Sequence, residues 1–269
     1  MIKVLDNLFA SKVYYQAACY SNKGKVRSNN EDNFYFDGLF MPEDNDGLLN
    51  IEEKNNELKN NTFFAVFDGM GGGDYGEIAS YTSALFAKDF LSNPGNINKS
   101  DISPSLKDMC FEMNQKVFEV GEDLGAYMFG STIASVYFHE NQMWFTNIGD
   151  SRAYLYRDSK LIQVSKDHIE SVLRNSRQKP ALLQHLGIDP EEIMLDPTIS
   201  RLDVRHDDVI LLCSDGLTDM VDSVVIAGEL AQNQNIFDSV KNLFYLAMNA
   251  GGLDNITIII IRIIDSKYR

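Results

Sequence analysis

Five aspartates stand where apolar runs of the chain end, although more than two hundred residues separate the first from the last. They are Asp32, Asp68, Asp150, Asp215 and Asp254. A carboxylate at the end of a strand lies at the rim of a sheet, where it can meet others. Carboxylates that converge without Lys or Arg repel one another unless a hard cation lies between them. The first hypothesis is therefore a divalent-metal site used for metal-activated hydrolysis.

The glycine-rich stretch that begins at Asp68 is the sharpest local signal. It reads Asp68-Gly69-Met70-Gly71-Gly72-Gly73. Glycine lets the chain turn sharply and present a backbone carbonyl, so Asp68 and Gly69 offer two oxygen ligands to Mg²⁺ or Mn²⁺. A turn that needs glycine for steric reasons alone explains the stretch equally well. A phosphate-binding P-loop is disfavoured, because no Gly-Lys-Ser/Thr follows.

Two later motifs repeat the pattern of a carboxylate beside a strand end, namely Asp215-Gly216 and Asp254-Asn255. Each alone is more often a turn or N-cap residue, but their occurrence together with Asp68 favours ligands. Arg27 lies four residues before Glu31 in a polar segment. Such an arginine is usually a surface ion pair, whereas beside a metal site it can bind phosphate through two hydrogen bonds.

Composition narrows the class of protein. The chain has 269 residues, 44% of them apolar, and a net charge of −15. Because it has no cluster of five or more Lys/Arg, a nucleic-acid partner is not expected. Three widely spaced cysteines, Cys19, Cys110 and Cys213, predict buried free thiols and a reducing compartment.

The amino terminus lacks the basic start and long apolar stretch of a signal peptide. The most apolar run, Ile256–Ile264, is far shorter than the ~20 residues that span a bilayer. We therefore expect a cytoplasmic protein without a membrane partner.

Hydrophobic periodicity predicts nine strands and four helices. The predicted strands are Val13–Tyr20, Asn33–Phe36, Thr62–Phe67, Ser131–Phe138, Gln142–Asn147, Ala153–Arg157, Leu161–Ser165, Val209–Cys213 and Ile256–Ile264. The predicted helices are Gly76–Leu91, Pro104–Asp123, Ser223–Ala231 and Ile236–Asn249. Strands and helices do not alternate, so we expect an α+β fold in which helices cover the outer faces of antiparallel sheets.

Two segments are predicted to lie outside this framework. Met41–Asn61 is polar and acidic, and we expect a solvated loop insertion. Its Asp44-Asn-Asp46-Gly47 run does not have the ligand spacing of a calcium loop. His168–Asp196 contains prolines at its centre and near its end, and we expect a short, partly helical flap.

In order and spacing, these motifs resemble the metal-dependent protein phosphatase family (the PPM or PP2C type of serine/threonine phosphatase) in its bacterial form. The resemblance runs from about Val13 to Ile264. The further segments that carry it are Gly76-Glu77-Ile78-Ala79-Ser80, Gly130-Ser131-Thr132, Ile148-Gly149-Asp150-Ser151-Arg152, Leu212-Cys213-Ser214-Asp215-Gly216-Leu217 and Gly252-Leu253-Asp254-Asn255-Ile256-Thr257.

The resemblance implies a single domain over residues 1–269, built as a β-sandwich of two antiparallel sheets between helix pairs. It also implies two Mn²⁺ or Mg²⁺ ions and a weaker third one. In that family pattern Asp68 bridges the two main ions, the Gly69 carbonyl binds one of them, and Asp215 and Asp254 hold the other. Glu31 and Asp32 act through bound waters, and Asp150 with Asp215 binds the third ion. Arg27 binds the substrate phosphate, and Asn255 supports Asp254.

Family habit further implies phosphorylated protein substrates, an opposing serine/threonine kinase and a monomer. Three features depart from the family pattern. Gly73 stands where bacterial members often have a histidine, Met70 stands where eukaryotic members have a histidine that can act as general acid, and the flap is shorter than usual. Without that second histidine, we expect water, or a residue that the sequence does not identify, to protonate the leaving group.

Two other hypotheses compete with the phosphatase. Gly149-Asp150-Ser151 could be the nucleophile block of an esterase, with Asp203 and His206 completing a triad. That hypothesis leaves four of the aspartates unused. The other is a catalytically weak regulatory or binding module with the phosphatase fold, whose signature would be loss of metal carboxylates. None is lost here.

Overall fold

A computed structural model describes residues 12–70, 75–126, 128–170, 180–232 and 235–268. Three parts of the sequence interpretation therefore fall outside the described residues. They are the amino terminus up to residue 11, the glycines at 71–73 and the part of the flap at 171–179.

The described residues form twelve strands and five α-helices. The strands are β1 (Val13–Asn22), β2 (Asp32–Phe36), β3 (Glu52–Glu57), β4 (Thr62–Met70), β5 (Gly130–Ser131), β6 (Ile133–His139), β7 (Gln142–Ile148), β8 (Arg152–Arg157), β9 (Lys160–Gln163), β10 (Thr198–Asp203), β11 (Val209–Cys213) and β12 (Ile256–Asp265). The helices are α1 (Gly76–Ser92), α2 (Ile102–Leu124), α3 (Asp215–Thr218), α4 (Ser223–Gln232) and α5 (Ile236–Ala250). Each predicted strand and helix is present, most within two residues of its expected ends.

Two antiparallel sheets pack face to face. The strand order of the first is β3-β1-β12-β11-β8-β9, and that of the second is β10-β7-β6-β4-β2, with β5 paired to β4. Helices α1 and α2 cover the outer face of the second sheet, while α4 and α5 cover that of the first. The expected α-β-β-α sandwich is confirmed.

Three apolar cores explain this layering. One lies between the sheets, and each outer face shares another with its helices. Strands such as β12 are buried on both faces, so their sequences are continuous apolar runs instead of alternating ones. In the central core the ring of Phe64 on β4 meets that of Tyr15 on β1 edge to face, with centroids 5.4 Å apart.

The prediction of a loop over Met41–Asn61 is wrong for part of its length. Glu52–Glu57 forms β3, which pairs with β1 at the edge of the first sheet. The sequence misled because an edge strand held by backbone hydrogen bonds needs no apolar alternation, and charged side chains suit an exposed edge. The same reason hid β10, an edge strand of the second sheet.

The described part of the expected flap, residues 168–170 and 180–196, contains no helix, and the helical part of the prediction stays untested because residues 171–179 lie outside the described residues. Backbone bridges hold the described part, joining Ile169 to Leu182 and Ser131 to Leu186. As predicted, the three cysteines are free and buried. Within the described ranges, no helix combines the length and apolar character needed to cross a membrane.

The central core yields a stability prediction. Phe64 has no exposed surface and is surrounded by aromatic rings from both sheets, whereas Phe111 on α2 is 38% exposed. We expect Phe64→Ala to lower the free energy of unfolding by ~3–5 kcal/mol, because it leaves a cavity. Phe111→Ala is the matched control and should cost about 1 kcal/mol or less. Urea unfolding monitored by circular dichroism measures both, and equal losses would contradict the assignment of the central core.

Candidate active site

A cavity of about 420 Å³ opens where β4, β7 and β11 end and where β2 and β12 begin. Antiparallel neighbours place these alternating strand ends at one end of the sandwich. The described residues that line the cavity are Arg27, Ser28, Asn29, Glu31, Asp68, Gly69, Met70, Thr132, Asp150, Pro180, Leu182, Asp215 and Asp254.

The cavity brings together most of the predicted site residues. Seven of them line it: Arg27, Glu31, Asp68, Gly69, Asp150, Asp215 and Asp254. The other two, Asp32 and Asn255, are buried and do not line it. Residues that lie more than two hundred positions apart therefore meet in one place, as the strand-end pattern predicted.

Asp68 is held by the backbone on both sides. Its strand β4 pairs with β2, where Asp32 is its cross-strand partner. Its N–H donates to Thr132 Oγ1 at 3.1 Å, and its carbonyl accepts from the Thr132 N–H at 2.8 Å. The Thr132 hydroxyl also meets Ser151 Oγ at 2.6 Å. The position of the carboxylate is thus fixed by the sheet and by one threonine.

Gly69 is required because other backbone atoms approach it closely. A Cβ on Gly69 would lie 2.0 Å from the carbonyl oxygen of Gly76 and 2.5 Å from that of Glu31. A Cβ on Gly76 would lie 2.9 Å from Glu31 Oε1 and 3.1 Å from the Gly69 carbonyl oxygen. The Glu31 carboxylate and the Gly69 carbonyl therefore face one small space that Gly76 leaves open.

Asp32 lies behind the cavity with 1% of its surface exposed. The hydroxyl of Ser214 donates to Asp32 Oδ2 at 2.7 Å, while Oδ1 accepts no hydrogen bond from the described residues. Burial raises the pKa of Asp32 to about 7, and the Ser214 hydroxyl acts in the opposite direction. A carboxylate held in this way suits indirect contact with a cation through water.

Burial and mutual repulsion both disfavour ionised carboxylates in the cavity. Burial, followed by the charges of Asp215, Asp32, Asp150 and Asp254, raises the pKa of Asp68 well above its usual range. The pKa of Glu31 is also raised, first by burial, although Arg27 opposes the shift. These carboxyl groups resist being ionised together, which is the condition that a bound cation relieves.

Arg27 stands at the mouth of this acidic site. Its Nη2 lies 2.9 Å from Asp254 Oδ2 and its Nη1 lies 3.7 Å from Glu31 Oε2. Burial lowers the pKa of Arg27, but the carboxylates of Asp254, Glu31 and Asp68 together outweigh burial and raise it. Because 46% of the side chain is exposed, the ion pair is weak enough to be exchanged for another anion.

Asn255 supports the site from beneath. Its Oδ1 accepts from the N–H of Glu31 at 2.8 Å, and its Nδ2 donates to the carbonyls of Lys23 and Asn29 at 3.1 and 2.9 Å. These three bonds fix the polar segment that carries Arg27 and Glu31. The resemblance implied that Asn255 supports the neighbouring Asp254. Its hydrogen bonds show that it also positions the polar segment.

The donor set fits a hard divalent cation. Among the described residues, no group of three or more His, Cys, Asp or Glu side chains is arranged closely enough to hold a metal ion. The groups around the cavity are nevertheless carboxylates and a carbonyl, the oxygen donors that Mg²⁺ and Mn²⁺ prefer. The space shared by Gly69 and Glu31, and the raised pKa of Asp68, both favour occupation by a cation.

The esterase triad does not form. Ser151 has no exposed surface and its hydroxyl is bonded to Thr132. His206 lines a different cavity together with Asp207, and its Nδ1 accepts from the N–H of Asp265 at 3.2 Å. A buried serine that is bonded to Thr132, with the proposed His206 in a different cavity, does not form the proposed nucleophile.

Sequence reasoning assigned no individual role to several residues of this site. Thr132 and Ser214 hold the two aspartates of the β2–β4 pair, yet they appeared only within longer motifs. Pro180 and Leu182 of the flap form an apolar side of the cavity. No local pattern marks such residues, because their partners are distant in sequence.

The close approach at Gly69 yields a second prediction. Gly69→Ala should destabilise the protein by ~1–3 kcal/mol or more, because the methyl group collides with backbone carbonyls that cannot move aside. Gly228→Ala in α4 is the matched control, since nothing lies within 4 Å of the added Cβ. It should stabilise the helix by up to about 1 kcal/mol. Thermal unfolding measures both variants, and a neutral Gly69→Ala would contradict the geometry.

Comparison with known proteins agrees with this arrangement. A family model described as protein phosphatase 2C matches residues 38–173. Serine/threonine protein phosphatase PstP of Mycobacterium tuberculosis is 28% identical over 263 residues, which are 93% of this chain but 45% of PstP. The chain thus spans about half the length of that relative. Serine/threonine phosphatase stp of Listeria welshimeri is 26% identical over 255 residues, 90% of this chain and 93% of the relative.

A solved structure extends the likeness to three dimensions. The catalytic domain of PstP, in complex with two manganese ions, is 28% identical and superposes with a TM-score of 0.74. The match covers 94% of this chain and all of that one. Fold, motif order and family model agree, and the chain belongs to the protein phosphatase 2C family.

Proposed function

We propose that this chain hydrolyses phosphoserine and phosphothreonine in proteins at a binuclear Mn²⁺ or Mg²⁺ centre. The observation that carries the proposal is the set of mutually repelling carboxylates around Asp68, with Arg27 at the mouth of the same cavity. The relatives named serine/threonine phosphatases, one of them solved with two manganese ions, support it.

The oxygen donors of the cavity would hold the ions. We assign Asp68 as the shared ligand, the Gly69 carbonyl to one ion, and Asp215 and Asp254 to the other. Glu31 and Asp32 complete the centre through water, in keeping with the buried position of Asp32. Asp150 with Asp215 would hold a weaker third ion. When bound, the ions acidify a water molecule and offset charge on phosphoryl oxygens.

Arg27 binds the substrate phosphate in this proposal. Its guanidinium already contacts one carboxylate, and its fork of N–H donors matches two oxygens of a phosphate as well as those of a carboxylate. Its exposure at the mouth lets a phosphate displace Asp254 as its partner. The chain then orients the phosphoryl group towards the carboxylate centre.

The side chains of this cavity leave attack on phosphorus to water. The described lining contains no cysteine, and burial raises the pKa of Cys110 and Cys213 to about 12. Met70 lines the cavity but carries no proton that could be donated to the leaving group. Met70 therefore leaves protonation of the departing serine or threonine oxygen to water or to another group.

The setting of the enzyme follows from the same proposal. We propose phosphorylated proteins as substrates and a serine/threonine kinase as the opposing activity. The three free, buried cysteines suit a reducing compartment, so we place the protein in the cytoplasm. A monomeric state stays a prediction.

Metal removal and ligand substitution test the proposal. A phosphothreonine peptide should be hydrolysed with Mn²⁺ and not with EDTA, and Asp215→Asn should lower kcat/KM by about 100-fold or more, because a metal ligand is lost. Asp158→Asn, an exposed carboxylate that pairs with Arg205, is the matched control and should change little.

Two results would overturn this mechanism. One is activity that survives EDTA. The other is activity lost with Ser151→Ala but kept with Asp215→Asn. A folded chain that is inactive with every divalent metal and phosphopeptide would favour a binding module instead.

A conservative substitution tests the phosphate contact. Arg27→Lys keeps the charge but cannot donate two parallel hydrogen bonds, so KM for the phosphopeptide should rise about tenfold while kcat changes less. Arg205→Lys, whose arginine is 62% exposed, is the control and should leave both constants unchanged. Steady-state kinetics decide the point, and equal behaviour of the two variants would remove Arg27 from phosphate binding.

A further inference from the structure

The turn that carries Asp150 requires glycine at position 149, although glycine also makes the turn less rigid. Gly149 follows β7 with a φ of +96°, and a Cβ there would lie 2.6 Å from Thr132 Cγ2. No other residue fits without strain. Glycine, however, has no side chain to pack and the greatest backbone freedom of any residue. Another group must therefore hold the turn in place.

His168 holds both backbone polar groups of Gly149. The Gly149 N–H donates to His168 Nδ1 at 3.1 Å. The His168 N–H donates in turn to the Gly149 carbonyl at 3.0 Å. One residue thus closes a two-point clamp on the turn, and the side-chain half of the clamp depends on the imidazole ring.

The ring itself is anchored to the second sheet. Because an N–H can only donate, Nδ1 must be the unprotonated acceptor, so the neutral ring carries its proton on Nε2. Nε2 donates to Thr198 Oγ1 at 2.9 Å, and Thr198 begins β10 opposite Asn147 of β7. Burial, assisted by Lys166, lowers the pKa of His168 against the opposing charges of Asp196 and Asp167, which favours this neutral form.

The backbone around His168 is fixed as well. Asp167, the residue before His168, forms a bidentate ion pair with Arg152. The Nη2–Oδ2 and Nε–Oδ1 distances are 2.6 and 3.1 Å. The Lys166 N–H donates to Asn147 Oδ1 at 3.2 Å. The segment that presents the ring is therefore tied to the strands on both sides of the Asp150 turn.

We propose that His168 is a positioning residue that fixes the Gly149 turn and thereby aims the Asp150 carboxylate into the cavity. The consequence for catalysis rests on the proposed function. The His168 carbonyl also accepts from the Leu183 N–H at 2.8 Å, and the neighbouring Leu182 lines the cavity. His168 thus joins the acidic end of the cavity to its apolar wall.

Three variants isolate the side-chain half of the clamp. His168→Leu removes both ring bonds. His168→Asn keeps an acceptor, because its Oδ1 is as many bonds from the backbone as Nδ1, but it cannot reach Thr198. His206→Leu is the matched control, since His206 Nδ1 likewise accepts a backbone N–H, that of Asp265, but in another cavity.

Amide hydrogen exchange of the metal-free protein, followed by NMR, is the first measurement. Exchange at the Gly149 N–H should accelerate about tenfold or more in His168→Leu, and much less in His168→Asn. It should not change in His206→Leu. Equal protection in wild type and His168→Leu, or equal loss in His206→Leu, would overturn the clamp.

Kinetics with Mn²⁺ and a phosphothreonine peptide form the second measurement. We expect His168→Leu to lower kcat by about 10-fold to 100-fold with little change in KM, and His168→Asn to recover most of it. Lost protection at Gly149 with unchanged kcat would overturn the positioning role. An inactive wild type would instead overturn the proposed function, and hydrogen exchange would still decide whether His168 holds the turn.

Discussion

Repulsion among buried carboxylates is the constraint on which the rest of this structure depends. Asp68 is not easily ionised, because burial and then the charges of Asp215, Asp32, Asp150 and Asp254 raise its pKa. Left to themselves, flexible side chains would separate. The antiparallel ladder prevents this, because Asp32 and Asp68 are cross-strand partners whose backbones are bonded along two strands. The large apolar cores supply the free energy that holds the strand ends together.

A site made at strand ends must be built largely from backbone. Gly69, Gly76 and Gly149 each lie where a Cβ would meet another chain segment at less than 3 Å. Crowding of this kind brings carbonyls and carboxylates together, but glycine turns have no side chains to stabilise them. Side chains from elsewhere compensate for this. Asn255 bonds three backbone groups between residues 23 and 31, and His168 bonds the amide of Gly149.

The sequence predicted the parts of the fold and site that depend on burial. Strands such as β11 and β12 are recognisable in the sequence as apolar runs. The aspartates at their ends, Asp215 and Asp254, line the cavity as predicted. β3 was missed because hydrogen bonds to β1 stabilise it at an exposed edge, where apolar alternation is not required. The described part of the flap contains no helix, because long-range bridges, not local propensity, determine its path.

Supporting contacts were beyond prediction for a related reason. The clamp of His168 on Gly149 and the bond from Ser214 to Asp32 join residues that are 19 and 182 positions apart. Neither serine nor histidine stands in a pattern that specifies such a partner. The order of the motifs identified the charged residues of the site. Only contacts in three dimensions identified the residues that hold those charged residues in place.

Charge also sets an order of events at the cavity. The chain carries a net charge of −15, and of the described residues that line the cavity only Arg27 is basic. A phosphate approaching those carboxylates would be repelled more strongly than Arg27 alone can offset. Under the proposed function, cation binding would therefore be a condition for binding the substrate phosphate as well as for catalysis. In that order, the carboxylates would bind the cations first, and Arg27 at the mouth would bind the phosphate afterwards.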